Sequence, residues 1–150
     1  MFLIKFDAKR FDELENKTLH HILLLRSEVF VVEQECVYQD IDGKDINSIH
    51  IIGKKKEKII AYSRIMNLNS EFCSIGRVLV KKELRKKGIG IKLMEKSIEK
   101  ARKLYNQKKI KISAQEYLKK FYTDLGFKHT GKRYLEDGIP HIEMILNYKE

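Results

Sequence analysis

Residues 75–105, IGRVLVKKELRKKGIGIKLMEKSIEKARKLY, decide the fold. The stretch opens on an apolar run ending Val78-Leu79-Val80, reads as a buried strand, and passes into a basic turn, Arg85-x-x-Gly88-x-Gly90. From Gly88 to about Tyr105, Met94, Ile98, Ala101 and Tyr105 recur at helical spacing and mark one buried face. A strand that feeds a glycine-bearing turn into a helix N-terminus is a ready site for a pyrophosphate. First-turn N–H groups have no intrahelical acceptor and carry the positive end of the helix dipole. Gly88 and Gly90 let the backbone approach phosphate oxygens, and Lys81, Lys82, Arg85, Lys86 and Lys87 surround the turn with positive charge. Ile89 and Ile91 complete the amide row at the helix start.

Two other nucleotide motifs are excluded. A dinucleotide fingerprint needs a third glycine where Leu93 stands, and the phosphate loop of nucleotide triphosphatases needs G-x-x-x-x-G-K-[ST], a string this chain lacks. The R-x-x-G-x-G turn after strand 72–80 resembles the coenzyme A motif of the GNAT acetyltransferases. The resemblance implies acetyl-CoA as co-substrate, with the pyrophosphate on the amides of residues 85–91. It also implies pantetheine paired with the backbone of Val78, Leu79 and Val80, and a mixed, mostly antiparallel α/β sheet whose parallel strand pair splays apart between flanking helices.

Segment 113–127, SAQEYLKKFYTDLGF, resembles a later motif of the same family, in which a tyrosine stands four residues before Gly-Phe. Tyr122 holds that place, and the resemblance makes it the acid that protonates the departing thiolate. A phenol, with its pKa near 10, suits that task. Gln115 and Glu116 stand where many members carry Asn, and Gln115 is assigned to the cofactor. Residues 26–45, RSEVFVVEQECVYQDIDGKD, and 134–144, YLEDGIPHIEM, resemble the ElaA-like branch, where they form two walls of the acceptor pocket.

Acceptor chemistry is read from charge. A primary ammonium must lose a proton before it attacks, and a carboxylate or histidine can attract it and remove that proton. The candidates are Glu33, Asp40, Asp42, His50, Glu116, Glu136, Asp137 and His141. Glu33 and His141 lead because they fall in the branch-like stretches, with Asp42 and His50 as further acceptor contacts. The base itself stays open among them.

The rest of the chain bounds the reading. Its 150 residues, 43% hydrophobic and 35% charged, fit one compact domain over 1–150. No apolar run reaches membrane-spanning length, and the N-terminus lacks the pattern of a secretion signal. Cys36 and Cys73 are isolated, so reduced thiols, no metal and a cytoplasmic setting are expected. The net charge of +10 is scattered, except at 81–87, and no recognition helix or finger spacing accompanies it, so a nucleic-acid partner is disfavoured.

The expected elements are an edge strand at Phe2–Phe6, a helix capped by Thr18 and running to Phe30, and an acidic loop over 32–47. A hairpin of Ser48–Gly53 with Ile59–Met66 follows. Beyond the central unit come strand 109–114, helix 115–125 and strands 127–132 and 140–148. Strand-helix-strand 75–114 is expected to form a parallel crossover. The function expected is an N-acetyltransferase acting on a primary amine in a ternary complex, with dimerisation left open. A non-catalytic acyl-CoA sensor and a basic nucleic-acid-binding protein are the alternatives.

Overall fold

A computed structural model describes residues 3–148. Seven strands form one sheet in the order β1-β2-β3-β4-β5-β7-β6. They are β1 (Lys5–Arg10), β2 (Ile49–Lys55), β3 (Lys58–Asn67), β4 (Phe72–Val80), β5 (Lys109–Gln115), β6 (Lys128–Glu136) and β7 (Ile139–Leu146). The helices are α1 (Asn16–Arg26), α2 (Ile89–Leu104) and α3 (Lys119–Asp124). Neighbouring strands run antiparallel except β4 and β5, which are parallel. This is the mixed sheet the sequence implies.

Two apolar clusters hold the layers. Ile89, Leu93, Met94 and Ala101 of α2 pack with Tyr122 and Phe127 on one set of sheet side chains, including Ile65, Ile110, Ile112 and Met144. Ile22, Leu25 and Val29 pack with Ile52, Ile59, Tyr62 and Leu79 in the second cluster. Each fully buried aliphatic side chain contributes about 1.5–3 kcal/mol. In β4, Leu79 belongs to the α1 cluster while Val78 and Val80 pack against the α2 cluster, the alternation a strand imposes.

Several local expectations shift. The first strand is Lys5–Arg10 rather than Phe2–Phe6; Phe2 lies outside the described residues. Its place is set by pairing with β2, from Lys5↔Lys54 to Arg10↔Ile49. Thr18 is inside α1, whose N-cap is Glu15 in an extended conformation with no side-chain cap bond. After Arg26 the helix widens into a π-helical segment, Ser27–Glu33. The helix expected over 115–125 is a 3-10 turn, Glu116–Leu118, followed by the shorter α3. The β2–β3 hairpin forms as expected, and it turns on Lys56 and Glu57 at φ +48° and +68°. Those left-handed values are usually met by Asn-Gly.

The acidic stretch 38–45 is pinned by three arginines from α1, β3 and β4. Arg26 is fully buried and donates from Nε to Asp40 (2.9 Å), from Nη1 to Asp45 (2.7 Å) and from Nη2 to the Asp40 carbonyl (3.0 Å). Arg64 grips both oxygens of Asp42 at 2.9 and 2.7 Å and reaches Asp45 Oδ1 at 3.1 Å. Arg77 Nη2 donates to the Asp40 carbonyl at 2.9 Å. Its Nε lies 2.7 Å from Asp40 Oδ1, a close ion pair whose N–H does not aim at the oxygen.

Replacing one member of such a buried set strands its partners in low dielectric. Arg26→Met is therefore expected to lower unfolding free energy by about 3–5 kcal/mol, read from the midpoint of urea denaturation. The Arg64 hydrogen bonds hold Asp42 well below the usual carboxylate range against the opposing cost of burial. A folded-state pKa below the unfolded one gives stability that is complete above the unfolded value, about 4. That stability is lost as pH falls through the folded value. Denaturation midpoints should accordingly fall steeply below about pH 4 in the wild type and less steeply in Asp42→Asn.

Candidate functional site

Strands β4 and β5 pair only through Phe72↔Lys109, Cys73↔Ile110 and Ser74↔Lys111. Beyond that, Ile75, Gly76, Leu79 and Val80 of β4 pair with β3 alone, Arg77 and Val78 fall in the irregularity between them, and residues 112–115 of β5 pair with β7 alone, so the facing edges part. The departure coincides with a bulge. Register between β3 and β4 shifts between Tyr62 and Arg64, and Arg77 sits at φ +52°. A non-glycine residue holds such a conformation only where its surroundings enforce it, and the Asp40 and Asp42 contacts of Arg77 do so.

At the end of β4 the Lys81 amide donates to Ile60 (2.8 Å), a 3-10 turn follows at Lys82–Leu84, and Lys86 and Gly88 take positive φ (+63° and +79°). Gly88 is the N-cap of α2 and no side chain caps the helix, so its first-turn N–H groups face outward without a side-chain acceptor. A Cβ on Gly88 would meet nothing within 4 Å, which leaves its left-handed backbone as the reason for glycine. A Cβ on Gly90 would stand 3.6 Å from Phe121 and 3.9 Å from Val80, ordinary contact. Thus α3 reaches the start of α2 at the end of β4.

Arg85 folds back over the strand, its Nε donating to the Val80 carbonyl (2.9 Å) while its two terminal nitrogens clasp Glu33 at 2.5 and 2.9 Å. Hydrogen bonding from Arg85 draws the Glu33 pKa down. Next to Glu33, Gln34 accepts from Gln115 Nε2 (3.3 Å). The end of the π-helical segment therefore ties the basic turn to the end of β5 across the splay.

Tyr122 lies on α3, 7% exposed, with edge-to-face contacts to Phe121 (5.0 Å) and Phe127 (5.9 Å). Burial pushes its pKa up to about 12, so the phenol keeps its proton. Its hydroxyl has no hydrogen-bond partner among the described residues.

The remaining candidates divide. Asp42 is neutralised by Arg64 and Arg77. His50 is fully buried, with Nε2 against the Asp45 carbonyl (2.9 Å) and Nδ1 against the Tyr62 hydroxyl (2.6 Å). Desolvation lowers its pKa. The acceptor contact expected of His50 has no open nitrogen to make it, and we set it aside. His141 closes the far wall, paired with Gln115 across β5–β7 and stacked on Tyr134. Sequence reasoning missed Arg77; a cation inside the apolar run IGRVLV was the available signal. It missed Ser113 and Tyr134 as well. Among the described residues, no helix is long and apolar enough to cross a membrane, and no group of side chains is arranged to hold a metal.

A splayed parallel pair beside an uncapped, basic helix start is the sheet geometry that the resemblance to the GNAT acetyltransferases implies. The chain belongs to the GNAT family, whose acetyltransferase domain profile matches residues 12–148. Protein ElaA of Escherichia coli K12 is 40% identical over 146 residues, 95% of each chain. The crystal structure of Escherichia coli ElaA superposes with a TM-score of 0.92 at 39% identity, over 97% of this chain and 100% of that one. An acyl-CoA N-acyltransferase from Pseudomonas aeruginosa gives 0.90 at 35%, with the same coverage. A GNAT acetyltransferase from Elizabethkingia anophelis with acetyl-CoA bound shares the fold at 16% identity, with a TM-score of 0.63 over 96% of this chain and 97% of that one.

The glycine geometry makes a stability prediction. Gly88→Ala forces a side chain into the left-handed region and should cost about 1–2 kcal/mol, whereas Gly90→Ala should cost less. Paired urea titrations read the difference.

Proposed function

We propose that the protein transfers the acetyl group of acetyl-CoA to a primary amine by direct attack in a ternary complex, as a single domain. The observation that carries this reading is the splay. Its two unzipped edges offer backbone N–H and C=O groups, which need partners when covered, and it opens beside the outward-facing amides of α2. Pantetheine amides fill such an edge as an added strand would. In this reading the backbone of Val78, Leu79 and Val80 pairs with pantetheine and stabilises the carbonyl oxygen as it becomes an oxyanion. Residues 85–91 take the pyrophosphate, and Gln115 borders the cofactor.

Attack of the amine nitrogen on the thioester carbon forms the C–N bond, and collapse of the adduct breaks C–S. Tyr122 supplies a proton to the leaving sulfur. Its elevated pKa suits a donor, and the unengaged hydroxyl leaves that proton available to a ligand. Glu33 acts through Arg85, holding the guanidinium over the end of β4, while His141 belongs to the acceptor side. Two free cysteines accord with a cytoplasmic setting.

The test is a thermal shift with CoA, acetyl-CoA and ATP at fixed ionic strength, followed by thiol release from acetyl-CoA. The amine panel holds 1,4-diaminobutane, lysine amide, an N-terminally free peptide and kanamycin. Both CoA forms should stabilise the protein beyond ATP, and at least one amine should release thiol. Equal shifts with ATP would reduce the turn to a generic anion site, and binding without turnover would favour an acyl-CoA sensor. Tyr122→Phe should lower kcat by about 10²-fold or more while CoA affinity is kept; undiminished turnover would remove its role as acid.

A further inference from the structure

The wall of the splay built from β5, β7 and β6 carries a polar relay. Ser113 stands on β5 two residues past Lys111, the last residue paired with β4, so it lies on the parted edge. Tyr134 donates to Ser113 Oγ (2.6 Å), and Ser113 donates to Glu136 Oε1 (3.3 Å). Glu136 Oε2 faces His141 Nε2 at 3.3 Å. Gln115, His141 and Tyr134 are paired across the three strands, which puts their side chains on one face. The Tyr134 and His141 rings stack at 6.2 Å with 17° between planes.

The orientation of His141 is fixed by its other nitrogen. Nδ1 lies 2.7 Å from the Ile139 carbonyl, which can only accept, so Nδ1 carries a proton and Nε2 is left with a lone pair in the neutral ring. In the neutral ring that lone pair faces the Glu136 carboxylate oxygen, and in the imidazolium the same nitrogen donates to it. His141 is 8% exposed and Glu136 51%, so the pair is buried at the ring and open at the carboxylate. An N–H donor arriving from solvent satisfies both acceptors at once.

We propose that this pair receives the acceptor's ammonium, with Glu136 drawing in the cation and His141 Nε2 acting as the general base. The inference rests on the acetyltransferase reading above and deepens it. The ammonium gives one proton to Nε2, and the neutral amine attacks the thioester carbon. The resulting imidazolium donates to the Ile139 carbonyl and to Glu136. As C–S breaks, Tyr122 protonates the leaving sulfur, the second N–H proton of the adduct passes through solvent to the resulting phenolate, and the imidazolium returns its own proton to solvent. Ser113 and Tyr134 are positioning residues: they hold the Glu136 carboxylate and the face of the ring.

The experiment compares the fastest-reacting primary amine of the panel with hydroxylamine, which is already unprotonated at neutral pH and needs no base. His141→Gln should lower kcat on the primary amine about 10²-fold or more. It should leave hydroxylamine turnover within about threefold and CoA affinity unchanged, and added imidazole should restore part of the loss on the small-side-chain variant His141→Gly. Glu136→Gln, at a half-exposed position, should raise KM for the primary amine about tenfold, with KM for acetyl-CoA unmoved. Equal losses on both nucleophiles, or no loss on either, would overturn the assignment of His141. An unchanged amine KM in Glu136→Gln would overturn that of Glu136. A wild type that binds CoA yet acetylates no amine would bring down the acetyltransferase reading and this inference with it.

Discussion

Two parallel strands that pair for three residues and then separate set the terms for everything nearby. Each backbone N–H and C=O on the parted edges needs a mate, and leaving one buried and unmade costs about 1–3 kcal/mol. The helices do not fill the gap; they frame it. Ile89, Leu93 and Met94 fix α2 against the sheet, and Phe121 of α3 comes to the point where α2 begins. The splay, the uncapped helix start and the unengaged phenol of Tyr122 therefore lie in one region because a single departure from sheet pairing brings them there.

The departure has an anchor. Arg77 sits at the β4 bulge in a conformation few side chains tolerate, held by the same aspartates that Arg26 and Arg64 grip. Three arginines and three aspartates on four segments form a neutral cluster in a protein whose net charge is +10. Buried ion pairs of this kind rarely surpass well-packed apolar residues in net stability. Their contribution is geometric: the loop over 38–45 has one place to sit, and the bulge has one shape. The salt link from Arg85 to Glu33 and the bond from Gln115 to Gln34 then join the end of the π-helical segment to the basic turn and to β5.

The sequence makes local periodicity and glycine placement readable, and the core of the fold rests on both. The apolar run ending at Val80, Gly88 before a helical repeat, and the two runs of the β2–β3 hairpin each carry their own signal. The family-like motifs supply the splay and the position of Tyr122. Pairings between distant residues carry no periodic signal. Nothing near Glu33 announces Arg85 as its partner, and nothing near Asp40 announces Arg26 and Arg77. His50 read as an acceptor contact because a histidine on a strand does not declare which face it occupies; Tyr62 and the Asp45 carbonyl were the deciding neighbours. Thr18 had the chemistry of a cap, yet the cap falls three residues earlier, at Glu15.

Backbone amide hydrogen exchange over residues 75–80, with and without acetyl-CoA, tests the central claim most directly. If the parted edge of β4 exists to pair with the cofactor, amides on that edge should exchange rapidly in the free protein. They should slow markedly on saturation, while amides bonded to β3 change little. Binding that leaves exchange along residues 75–80 unaltered would contradict the account.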